Sequence, residues 1–349
     1  MKRNGYIDII KFILAIMIMD FHFGSGLLRG GYLAVEGFFM VSGFFMMKSL
    51  EKTDPSEPTG ESTVKFMFRK YKGLLPMLFV SAVIGFVVYI ILKEQSAEVI
   101  SKNLWLLMFE IFPLQTAGFN GYYVVGISWY LSSMFIALAI LFPFAKKYKR
   151  NFVLVICPLI TILGYGILCA NFGMLGGVGK SFIKNTVLQT GIIRAISGCS
   201  LGCIINEIIK LTKNKEFTRM AKIVFTALEF LAFAAIVKMM HFLPNSKFDF
   251  VVVVLLFGML IIGISGISYT SKLWNPKWTK HFGTASTLMV LNHCYWCNFI
   301  KLKLSDWGLT EKALIYIALV TLSCIVVYIL SRLLSFGAGK LLKKELWIK

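Results

Sequence analysis

Apolar residues run along this chain in long blocks separated by short polar stretches. Ten blocks approach the ~20 residues that carry a helix across a bilayer. They lie at roughly 7–23, 31–48, 74–92, 126–145, 151–170, 187–208, 221–240, 248–268, 282–300 and 313–334. The pattern predicts an all-α, polytopic integral membrane protein with about ten transmembrane helices. An eleventh stretch, "NLWLLMFEIFP" at 103–113, is too short to cross, carries Glu110 and stops at Pro113. It is expected to be an outer, re-entrant segment. No repeat of 20–50 residues is evident, and the longest polar loop is "EKTDPSEPTGEST" at 51–63. Residues 1–349 therefore read as one transmembrane domain with no fused soluble domain. The first block has no small-residue cleavage pattern after it, so it is expected to be retained as a helix.

Composition and charge sharpen this picture. The 349 residues are 57% hydrophobic and carry a net charge of +20, with a mean hydropathy of +0.75. On a soluble protein such a charge would suggest nucleic acid. Here most of the cations sort to one side under the positive-inside rule. With ten crossings, Lys2, Arg3 and the Lys/Arg groups at 48–72, 146–150 and 210–222 share a side with Lys272, Lys277, Lys280 and the lysines from 340 onward. Both termini are then cytoplasmic, and the basic balance reflects orientation. Seven cysteines all fall in apolar runs, where thiols act as small hydrophobes. Cys199-x3-Cys203 and "HCYWC", with His293, Cys294 and Cys297, lack a second half-site of known zinc spacing. No metal is expected.

The candidate chemistry lies in groups that hydrocarbon rejects. The first block, "YIDIIKFILAIMIMDFHFG", holds Asp8, Lys11, Asp20 and His22. A charge at mid-bilayer costs about 2.5–3.5 kcal/mol on insertion scales. Asp8 and Lys11, at i and i+3, form a candidate interfacial ion pair, and Asp20 is expected to reach outer water. Lys11 precedes His22 by about 16 Å of helix, close to three turns, so both share roughly one face. His22 and Glu36 flank the turn near Arg29 at equal sequence distance, which places them at similar depth on adjacent helices. A carboxylate beside an imidazole fixes its tautomer and raises its basicity, as a general base requires. Arg194, Asn292 and His293 add polar groups toward the same side.

These residues resemble the membrane-bound acyltransferase 3 family, which includes O-acyltransferases of bacterial surface polysaccharides and cell walls. The family's first helix carries a basic residue, ten intervening residues and a histidine, matched by Lys11 and His22. Its second-helix motif resembles "GGYLAVEGFFMVSGFFM", through Glu36, Phe38, Phe39, Ser42, Gly43 and Phe44. "FRKYKGLLP" resembles its basic stretch, with Arg69, Lys70, Lys72 and Pro76, and "SWYLSSMFIALAILFP" its Trp-aromatic-Leu segment, with Trp129, Tyr130, Leu131 and Pro143. "RAISGCSLG" around Arg194 and the helix near His293 fit more loosely. Two departures stand out. Lys11 replaces the more usual arginine, and Ser132-Ser133 follow where a glutamate often stands.

The resemblance implies transfer of a short acyl group such as acetyl, from cytoplasmic acyl-CoA to a hydroxyl of an extracytoplasmic or membrane-linked glycan, across a bacterial cell membrane. It makes His22 the general base or a covalent acyl relay, with Glu36 supporting it and Lys11 at the donor's mouth. Arg69, Lys70 and Lys72 join Lys11 as cations for the donor phosphates, and Ser42 lines the donor path or serves packing. Trp129, Tyr130, Arg194, Asn292 and His293 are the acceptor-binding candidates. Expected partners are acyl-CoA, the glycan acceptor and membrane lipid. The alternative function is a transporter or flippase for a polysaccharide intermediate, with the charged hairpin as its gate; no repeat between the halves supports it.

Overall fold

The computed structural model describes residues 3–93, 96–118, 125–126, 128–177, 189–212, 215–274 and 276–345. These form α1 (Gly5–Phe23), α2 (Ala34–Leu50), α3 (Thr59–Lys93), α4 (Ala97–Ile111), α5 (Ser128–Asn151), α6 (Cys157–Phe172), α7 (Thr190–Thr212), α8 (Arg219–Phe242), α9 (Phe248–Ser265), α10 (Thr270–Leu273), α11 (Pro276–Lys303) and α12 (Leu309–Glu345). A single π-helical stretch, Phe152–Ile156, joins α5 to α6. No strand occurs among the described residues. Lys2, Lys213 and the last lysine, all used in the charge argument, lie outside them.

Each of the ten apolar blocks overlaps one of these helices, and among the described residues seven segments are long and apolar enough to cross a membrane by composition. The protein is a multi-pass, all-α membrane protein. The 282–300 block is not among the seven, nor is the first, because the 19 residues of α1 hold three charged groups, Asp8, Lys11 and Asp20. The 103–113 stretch belongs to a helix that starts earlier, at Ala97, where Ser96 Oγ accepts from Val99 N as its cap. At 15 residues α4 is about 22 Å long, short of a crossing. Glu110 is fully buried at its end and accepts from Val125 N at 2.7 Å.

Two helix pairings position everything that follows. The first joins α2 to α7. A Cβ on Gly43 would strike the Cys199 carbonyl, and one on Gly202 would strike the Met40 carbonyl. The two backbones thus touch, as small residues permit in membrane interfaces. Gly202→Val is expected to push the helices apart, at a cost of about 1–3 kcal/mol or more, and to lower the thermal unfolding midpoint of the detergent-solubilised protein.

The second pairing joins α1 to α11. Phe12 packs edge-on against Phe282 with centroids 4.9 Å apart, and a Cβ on Gly283 would overlap the Asp8 carboxylate. Met19 packs with Cys297 and Ile300 of α11. The predicted Asp8–Lys11 pair is not formed. Asp8 accepts instead from Arg3, Nε at 2.6 Å and Nη2 at 2.9 Å. The planar guanidinium satisfies both carboxylate oxygens at once, which an ammonium cannot do.

The hairpin between α1 and α2 is held by side chains. Asn4 caps the start of α1 through Tyr6 N, and Gly24, at φ 82°, ends it. Asp20 is half-buried and accepts from Ser25 Oγ at 2.6 Å and Leu28 N at 2.8 Å. It fixes the turn rather than simply meeting water. At the other end, Lys146 donates to the Asp54 carbonyl at 3.2 Å and to Ser62 Oγ at 2.5 Å, drawing the 51–58 loop onto α5. Glu57 of that loop accepts from Lys65 of α3, which holds its carboxyl below the usual range.

Candidate functional site

Two cavities lie on either side of one aromatic ring. The first, about 290 Å³, is lined by Lys11, Ser42 and Lys70 among apolar side chains of α2, α3, α5 and α11. The second, about 200 Å³, is lined by His22, Tyr32, Trp129, Arg194 and Asn245 together with Gly176 and Gly177. Tyr130 lines both. Its ring packs against Phe39, centroids 5.0 Å apart, and Phe38, at 6.1 Å. One helix, α1, therefore puts a cation on one cavity and an imidazole on the other, three turns apart along one face.

The second helix serves the His22 cavity indirectly. Glu36 is fully buried. It accepts from Arg194 Nε at 2.7 Å and from Tyr165 Oη at 2.5 Å. The expected pairing of Glu36 with His22 is not made as a hydrogen bond. The reason is azimuthal. Glu36 shares the α2 face of Met40 and Gly43, which closes on α7, whereas Gly37, one residue on, faces Leu14 of α1. Rotation about the α2 axis turns Glu36 toward α7. Glu36 instead anchors Arg194, whose Nη2 also donates to the Tyr32 carbonyl at 3.4 Å. The Arg194 guanidinium carbon sits 5.5 Å from the centre of the Trp129 ring. Carboxylate, backbone carbonyl and aromatic face thus compensate a cation that water cannot reach.

His22 is half-buried, and no hydrogen bond to its ring joins it to Glu36. Its neighbours are Phe21 and, across the α1–α11 interface, His293, each with ring centroids 5.0 Å away. The His22 carbonyl accepts from Cys297 Sγ at 2.8 Å and Lys301 Nζ at 2.9 Å, which pins the end of α1 to α11.

The other expected site residues divide cleanly. Trp129, Tyr130 and Arg194 meet at the His22 cavity. Lys70 and Ser42 meet Lys11 at the first cavity, where Ser42 Oγ donates to Met134 Sδ at 3.2 Å. Arg69 and Lys72 are exposed and line neither cavity, because the α3 face that closes it carries 70, 73, 74 and 77. Asn292 is turned away too. Its amide donates to the Leu288 carbonyl at 2.7 Å and its carbonyl oxygen accepts from Tyr295. His293 is buried behind His22 and does not reach the cavity lining. Ser132, one of the two serines noted as a departure, accepts from Thr116 N at 3.0 Å and so ties down the Gln115–Ala117 turn.

Sequence reading missed a second polar layer. Tyr32 Oη donates to Asp249 Oδ2 at 2.7 Å and accepts from Asn245 N at 2.8 Å, and Leu175 N reaches the same carboxylate oxygen at 2.8 Å. This closes the wall between the Gly31–Leu33 turn ahead of α2, α9 and the 173–177 segment. The signal was available: Asp249 stands alone ahead of "VVVVLL", an intramembrane carboxylate of the kind that marks function or a buried network.

A family model described as an acyltransferase domain matches residues 4–332, nearly the whole chain. No curated protein and no solved structure matches it.

Proposed function

The chain belongs to the acyltransferase 3 family and is a membrane acyltransferase, and from that premise we propose that it moves a short acyl group from cytoplasmic acyl-CoA to a hydroxyl of an extracytoplasmic or membrane-linked glycan. The observation that carries the reading is the pair of cavities sharing Tyr130. Lys11 and Lys70 mark the cytoplasmic cavity, where cations suit the donor's phosphates as charge-assisted partners. The pantetheine arm passes Tyr130 and presents its thioester beside His22. The outer cavity, at about 200 Å³, falls below the ~300–1,000 Å³ of sites that enclose a whole drug-sized ligand. It suits the acyl group and the reacting end of an acceptor whose remainder stays outside.

In this mechanism His22 takes the proton of the acceptor hydroxyl as its oxygen attacks the thioester carbonyl carbon. The carbonyl π electrons move to oxygen, and the resulting oxyanion lies toward Arg194, the cation that lines that cavity among the described residues. Collapse expels the coenzyme A thiolate, which recovers the proton from His22. Arg194 is preorganised by Glu36, so no reorganisation is needed when negative charge develops. Trp129 and Tyr32 supply a stacking face and a hydroxyl for the sugar. The membrane is the bacterial cytoplasmic membrane, with both chain ends on the donor's side.

The test is transfer in proteoliposomes with labelled acetyl-CoA and a cell-envelope glycan acceptor. Labelled ester on the glycan is expected. Movement of unacylated glycan across the bilayer without ester formation would replace the enzyme with a transporter. Within the same assay, Lys70→Ala and Lys11→Ala are each expected to raise the KM for acyl-CoA about tenfold, the loss of roughly one charge-assisted hydrogen bond, with kcat little changed. A fall in kcat at constant KM would remove both lysines from donor binding.

A further inference from the structure

The α1–α11 pairing also gathers three metal-ligating side chains that the transfer mechanism does not use together. One donor atom each from His22, His293 and Cys294 lie within 4.8 Å of one another. His293 Nδ1 is in contact with two carbonyl oxygens, Met289 at 3.1 Å and Val290 at 2.9 Å. Two acceptors at one nitrogen require the ring proton there, which leaves Nε2 with a bare lone pair. That Nε2 lies 3.2 Å from Cys294 Sγ. An imidazole whose Nδ1–H is fixed by backbone carbonyls is the usual support of a metal-ligating histidine. His293 and Cys294 are buried, while His22 opens onto the outer cavity, which gives an ion its path and room for a fourth ligand.

We propose that His22, His293 and Cys294 form a Zn²⁺ site whose occupation blocks acyl transfer. Two imidazole nitrogens and one thiolate are a ligand set that zinc takes, at about 2.0–2.1 Å for nitrogen and 2.3 Å for sulfur. Tetrahedral edges between such ligands come to roughly 3.3–3.6 Å, so the His293–Cys294 edge is close to formed and a rotation of the half-buried His22 ring closes the rest. On binding, the Cys294 thiol gives its proton to solvent and both histidines keep theirs on the other nitrogen. Nothing is oxidised or reduced. Cys297 plays no part, since its sulfur is engaged with the His22 carbonyl. The expectation that no metal binds rested on a missing second half-site; the partner is His22, near the opposite end of the chain. The blocking effect rests on His22 being the base, because zinc takes the lone pair that would accept the hydroxyl proton. Binding itself does not.

The full chain, reduced and purified in nanodiscs, is titrated with Co²⁺ as a spectroscopic probe and then with Zn²⁺. One Co²⁺ per chain is expected, with a near-ultraviolet thiolate-to-cobalt absorption that Zn²⁺ abolishes. Cys294→Ser should remove that absorption and weaken Zn²⁺ binding at least tenfold while leaving metal-free transfer intact. Zinc inhibition of transfer should shift by the same factor. No thiolate band, or one that survives in Cys294→Ser and vanishes in Cys199→Ser, overturns the site. If Co²⁺ binds through Cys294 but Zn²⁺ leaves a working transfer reaction untouched, the site stands and the block falls. If Co²⁺ binds so and no transfer occurs at all, the site again stands and the enzymatic reading falls instead.

Discussion

His22→Ala is expected to lower acyl transfer by about 10²–10⁴-fold, the range a positioned general base supplies, and to leave the fold in place. The second half of that expectation follows from the surroundings. The ring is half-buried on a cavity wall, meets Phe21 edge-on and His293 at a tilt, and sits one residue before the end of α1. The bonds that fix this end of the helix use the His22 carbonyl, not its imidazole. A substitution that spares them should move stability by well under the 3–5 kcal/mol that a buried network loses. The measurement pairs initial transfer rates with a thermal melt of the same preparation. Equal transfer by wild type and variant would end the catalytic assignment of His22. Acylated imidazole trapped in wild type, and absent from the variant, would convert the base into a covalent relay.

How far the sequence could be read is clearest at this hairpin. Hydrophobic length and charge asymmetry are one-dimensional quantities, and they locate a residue along the membrane normal. They put Lys11 and His22 three turns apart on one helix, and the structure assigns them to two cavities on either side of Tyr130. They contain nothing about which neighbour a helix face meets. That is decided by close approach, here by Gly43 and Gly202 bringing α7 against α2 and so drawing Glu36 to Arg194 instead of His22. The same limit explains Asp8, which pairs with Arg3 upstream and not Lys11 downstream. It explains Lys70, which reaches the cavity while Arg69 and Lys72 on the same turn do not. Cys294 and His22 are the extreme case, because nothing in a spacing rule joins residues from the first and eleventh helices.

The Glu36–Arg194 pair carries the second large expected effect, and it separates structure from catalysis. Both side chains are essentially inaccessible to water, at 0% and 1%. Removing either one leaves its partner as an uncompensated buried charge, so Glu36→Ala or Arg194→Ala should destabilise the protein by about 3–5 kcal/mol. Loss of activity in those variants would then say little about mechanism. The informative variant is double. Glu36→Leu with Arg194→Met removes both charges and fills similar volume, a change that is often neutral or stabilising for a buried pair. Its unfolding midpoint should return close to wild type. Transfer should not return, because Arg194 no longer offers the oxyanion a cation in the His22 cavity, and removing one such donor costs about 10²–10³-fold. Glu36→Gln completes the set: the amide oxygen still accepts from Arg194, so the guanidinium stays in place without its counter-charge. Its rate should lie between those of wild type and the double variant. A double variant that both folds and transfers normally would make the pair a packing element of the α2–α7 crossing, with no part in the chemistry.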